Sequence, residues 1–67
     1  MPRYHFVVRE PDITHDDPDG VHLPNDDAAR DEGQRIVREL KESGYDAGDA
    51  VLIVHDERGQ TVHSVPF

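Results

Sequence analysis

Five histidines and fifteen acidic residues supply most of the chemistry in these 67 positions, and there is no Cys. Without a thiol there is no cysteine nucleophile, no thiolate zinc site and no disulfide, which fits a reducing compartment. The acids crowd into Asp12-Ile13-Thr14-His15-Asp16-Asp17-Pro18-Asp19-Gly20, where His15, Asp17, Asp19 and Gly20 have the spacing of a calcium loop. That pattern departs from such a loop at its first ligand (His15), at its last (Asp26 where a bidentate Glu is needed) and at Pro18. A solvated turn is the plainer reading.

The histidines have no tight ligand spacing such as His-x-x-x-His, so no metal is assigned to them. Ser43 and Ser64 lie in no nucleophile-elbow context, and Gly44-x-x-x-Gly48 lacks the Lys of a phosphate loop. Abundant carboxylates are not a pair held in a pocket. We therefore expect no enzyme, no catalytic residue and no cofactor. The strip Arg30, Gln34, Arg38 and Lys41 is flanked by acids and reads as a solvated helix face.

The elements that would position these groups are patterned clearly. Arg3 to Arg9 alternates as a strand, with Tyr4, Phe6 and Val8 on one face and His5, Val7 and Arg9 on the other. Pro11 ends it, the acidic stretch forms a long hairpin loop, and Gly20 to Leu23 makes a short second strand. Asn25 caps a helix whose first turn holds Asp26 and Asp27 and whose apolar stripe is Ala29, Gly33, Ile36, Val37 and Leu40. Ser43-Gly44 stops it, after i,i+4 pairs Asp31–Arg35, Arg35–Glu39 and Arg38–Glu42. Tyr45 to Asp49 is a connector. Ala50 to His55 is a central strand, and Asp56-Glu57-Arg58-Gly59 turns it into a last strand, Thr61 to Val65.

The expected fold is α+β, in the order ββαββ, as one domain over residues 1–67. One helix packs on a four-stranded, mainly antiparallel sheet with strand order 2-1-3-4. A three-residue turn sets Val54 opposite Val62, Ile53 opposite His63 and Leu52 opposite Ser64. His5, His22, His55 and His63 then share the open face, a grouping that can bind a transition metal or respond to protons. In the plain alternative they merely occupy solvent positions.

Three segments carry a family resemblance: Met1-Pro2-Arg3-Tyr4-x-Phe6-x-Val8, Asp19-Gly20-Val21-x-Leu23-Pro24, and Asp56-Glu57-x-Gly59 with the ending Val65-Pro66-Phe67. Together they resemble a family of short alphaproteobacterial proteins of unknown function. The resemblance spans nearly the whole chain and implies a bacterial cytosolic domain; it supplies no activity, ligand or catalytic residue. The long acidic loop departs from the simpler hairpin of that family.

Composition narrows the partners. The net charge of −8 opposes binding to nucleic acid or anionic membrane and suits a basic protein partner. No apolar run approaches the ~20 residues of a membrane span, and the first residues lack the apolar core of a signal peptide, so the cytoplasm is expected. A chain this short buries only about 60% of its unfolded surface, and self-association is the available help. The expected function is a non-catalytic interaction module, a homodimer joined through the open face or the edge of the last hairpin. Its interface would comprise Val51, Ile53, His55, His63, Val65 and Phe67. The alternatives are a histidine-based metal or pH sensor and an acidic, antitoxin-like inhibitor.

Overall fold

The structure, a computed structural model, describes residues 1–45 and 48–67; of the expected connector, Asp46 and Ala47 lie outside the described residues. In chain order the elements are β1 (Arg3–Arg9), β2 (Thr14–His15), β3 (Val21–His22), α1 (Asp26–Glu42), β4 (Val51–His55) and β5 (Thr61–Pro66). All pairings are antiparallel, in the order β2-β1-β4-β5, and β3 pairs with β1 beside β2. This is the expected α+β fold and strand order with one strand added. β3 and β4 flank β1 and run parallel to each other, so the chain between them must cross the sheet, and α1 makes the crossing.

The helix begins and ends where its side chains dictate. Asn25 has extended backbone angles and its Oδ1 accepts the N–H of Ala28, satisfying one of the unpaired first-turn donors. Asp26 and Asp27 add negative charge at the positive dipole end, and Ser43 caps the C-terminus. Ala29, Gly33 and Val37 are buried against the sheet, with Ile36 and Leu40 half-buried. Arg35 pairs with Glu39 as expected, but its second partner is Glu32 rather than Asp31. That guanidinium holds the Glu32 carboxyl below the usual carboxylate range.

The core lies between helix and sheet: Tyr4, Phe6, Ala29, Val37, Leu52 and Val54, with Val8, Leu23, Ile36, Val62, Val65 and Phe67 packed around it. Gly33 lets the two layers close. A Cβ there would stand 3.0 Å from Val54 Cγ2 and 3.3 Å from Leu52 Cδ2.

Two expectations about register and loop need correction. The turn after β4 has the expected form: Asp56 N–H donates to Gln60 O, Gly59 N–H to Asp56 O, and Gly59 has φ of 82°. Beyond it, His55 pairs with Thr61 but Val54 pairs with His63, so Val62 is an extra residue in the strand. This bulge shifts the rest of β5 by one position, which exchanges its faces. Ser64 therefore stands opposite Ile53, and Val65 stands opposite Leu52. Val65 and Phe67, expected on the open face, pack around the core instead, and the Phe67 ring meets Tyr45 edge-on at 5.6 Å. His63 stands opposite Val54, off the row expected for it.

The acidic stretch is also more than a solvated loop. A tight turn, with Glu10 N–H donating to Ile13 O, leads into β2, which pairs with Val8 and Arg9. β3 pairs with Arg3 and Tyr4, leaving Phe6 between the two short strands. Asp17 fills that gap: its carboxylate accepts the N–H of Phe6 at 3.0 Å and of Gly20 at 3.2 Å. Gly20, at φ of 69°, has Tyr4 O only 2.8 Å from where a Cβ would stand, so no other residue fits there without displacement.

Candidate functional site

The open face of the sheet is built in rows. His5 on β1 lies directly opposite His55 on β4, Val7 opposite Ile53, and Arg9 opposite Val51. Alternation along each strand is the cause: Tyr4, Phe6, Leu52 and Val54 are taken by the core, so the residues between them face away from it. Val7 and Ile53 are only 9% and 8% exposed, because both sit in central strands among their neighbours' side chains. Val51 is half-buried.

The first row opens into a shallow groove of about 530 Å³. His5 and His55 line it, with Val7 and Pro18 as its apolar part. Asp16 and Asp17 border it from the acidic loop, and Asp56 and Glu57 from the turn after β4. Neither Lys nor Arg is among the lining residues.

Two of these carboxylates are occupied locally. Asp17 holds the edge of β1, and Asp56 Oδ1 accepts the N–H groups of Arg58 and Gln60. Asp16 and Glu57 are exposed. Because a carbonyl only accepts, the 2.6 Å contact between His5 Nδ1 and Asp17 O requires the proton on Nδ1. In the neutral ring, Nε2 then carries the lone pair. His55 Nδ1 is buried and has no hydrogen-bond partner among the described residues. An imidazole nitrogen left so is uncommon, since an unmade buried hydrogen bond costs about 1–3 kcal/mol.

Two of the remaining histidines have side-chain partners of their own. His22 shares the open face through its pairing with Arg3, whose guanidinium lies 3.3 Å from His22 Nε2. His15 Nε2 meets Glu10 Oε2 at 2.8 Å, and hydrogen bonds from His15 and then Tyr45 hold the Glu10 carboxyl below its usual range. Of the interface residues expected from the sequence, the structure thus keeps Val51, Ile53 and His55 on one face and moves His63, Val65 and Phe67 away. Asp17 was missed as an anchor. Its local signal is the Asp-x-x-Gly spacing to Gly20, whereas its bond to Phe6 is fixed by tertiary structure. Among the described residues, no group of three or more His, Asp or Glu side chains is drawn together closely enough to hold a metal ion. No described helix is long and apolar enough to cross a membrane.

A single helix on an antiparallel sheet, with a groove of histidines and carboxylates on its far face, defines a small α+β protein. The chain belongs to the family described as Domain of unknown function (DUF6894), whose model matches residues 3–67. Among curated proteins and among solved structures, none matches it.

Proposed function

We propose that this protein is a non-catalytic interaction module of the cytoplasm that presents its open sheet face to a basic segment of a partner protein. The groove carries the reading: four carboxylates border it, no Lys or Arg lines it, and the chain as a whole has a net charge of −8. Such a field draws a cationic partner in and repels polyanions. The apolar part, Val7 and Pro18, gives the stem of a Lys or Arg side chain something to lie against.

Self-association is the second reading, favoured by the row of Val7, Val51 and Ile53 on the face that, among the described residues, the helix does not cover. The bulge in β5 weakens it by taking Val65 and Phe67 to the other side.

A short Lys- and Arg-rich peptide, titrated while backbone amides are followed by NMR, tests the proposal. Binding should move the signals of Asp16, Glu57 and the residues around His55. It should fade as salt approaches about 1 M, where charges are screened within about 3 Å. Asp16→Asn with Glu57→Gln should weaken it further. Absence of binding at low salt would overturn the reading, as would binding indifferent to salt and to these substitutions. Light scattering that reports twice the chain mass, and single mass in Ile53→Lys, would establish self-association instead.

A further inference from the structure

We propose that His5 and His55 together form a seat for a divalent transition-metal ion, with zinc as the representative case. Directly opposed residues of an antiparallel pair have Cβ atoms about 4.5–5.5 Å apart. One ion at about 2.0–2.1 Å from each imidazole nitrogen fits that separation. The β1–β4 register fixes the pair within the central strands, so neither residue depends on a loop for its position.

The protonation of His5 points the same way. Its Nδ1–H donates to the carbonyl of Asp17, which leaves Nε2 with the lone pair. A backbone carbonyl on the far nitrogen is the usual way a protein orients a metal-ligating histidine and raises its basicity. His55 Nδ1 is the complementary observation: it is buried and has no partner among the described residues, and ligation would satisfy it. His22 has Arg3 against its ring nitrogen and His63 stands opposite Val54, so neither supports a competing pair.

Asp16, Asp17, Asp56 and Glu57 border the groove and supply compensating charge. With no third ligand held ready among the described residues, water completes the coordination and the seat is weaker than a structural zinc site. Imidazole ligands make it selective for a transition ion over magnesium.

The test is titration of the chain with zinc chloride, and separately with magnesium chloride, followed by calorimetry and by imidazole nitrogen NMR. Zinc should bind saturably at one equivalent and move the ring signals of His5 and His55. Magnesium should not reproduce this, and acidification should release the zinc, because protonated imidazoles cannot ligate. His55→Phe, which keeps bulk on the face, and His5→Asn, which keeps a donor near the Asp17 carbonyl, should each cost about tenfold or more in affinity. Circular dichroism checks that both remain folded, and His63→Ala should bind as wild type does. The proposal is overturned by any of three outcomes: no saturable binding at millimolar zinc, an equal response to magnesium, or shifts confined to His15 beside Glu10. None of these bears on the basic-peptide reading, which needs no histidine.

Discussion

Tyr4 shows how one side chain ties sheet to helix. Its ring is buried in the core, and its hydroxyl donates to Asp26 Oδ1 at 2.7 Å, in the first turn of α1. Asp26 thus serves the helix dipole and the phenol together. The hydrogen bond to Asp26, then burial, push the Tyr4 hydroxyl up from 10.0 to about 12. The folded state therefore holds this proton more tightly than the unfolded chain does. The stabilisation is complete below pH 10 and is lost as pH rises from about 10 to about 12. Ultraviolet titration should resolve Tyr4 in that range, and Asp26→Asn should bring it down towards the ordinary tyrosine value. Asp17 makes a second single-residue test. Asp17→Ala strands the N–H groups of Phe6 and Gly20, and should cost about 1–3 kcal/mol in urea denaturation. A loss within measurement error would mean that water replaces the carboxylate at that edge.

At the level of elements, the helix–sheet contact depends on the small size of Gly33. Gly33→Val should destabilise by about 1–3 kcal/mol, since its branches would drive into Val54 and Leu52; a melting curve unchanged from wild type would show that the layers can separate freely. Deleting Thr14 to Pro18 should likewise cost more than a change in loop closure, because it removes β2 and the Asp17 anchor. The sequence alone suggests the opposite, and the reason is physical. The helix was legible because Asn25, the Ala29-to-Leu40 stripe and Ser43-Gly44 act within a few residues of one another. Four of the five strands and their order were legible from alternation and from turn residues such as Gly59, whereas the two-residue β2 is too short to show any alternation. The bulge at Val62 was not, because nothing local distinguishes one extra residue in Thr61-Val62-His63 from regular alternation. Consequently His55 was placed correctly on the open face, whereas the faces of His63, Val65 and Phe67 were exchanged. The opposition of His5 and His55 needed the β1–β4 register, which brings together positions fifty residues apart.

At the scale of the whole molecule, the sheet is finished differently at its two sides. On one side β1 is closed in three pieces: β2, the Asp17 carboxylate and β3. On the other, β5 has no partner on its outer side among the described residues. A bare outer strand is a template on which further chains can stack into fibrils. The extra Val62 breaks the straight run of donors and acceptors that stacking requires, and Pro66, near the end of the strand, has no N–H to offer. Deleting Val62 and changing Pro66→Thr should therefore produce a variant that raises thioflavin fluorescence under quiet incubation while the parent chain stays dark. Equal signals from both would show that neither the extra residue nor the proline guards the edge. The irregularity that obscured the register would then also be what keeps neighbouring copies from adding, strand upon strand, to an open-ended sheet.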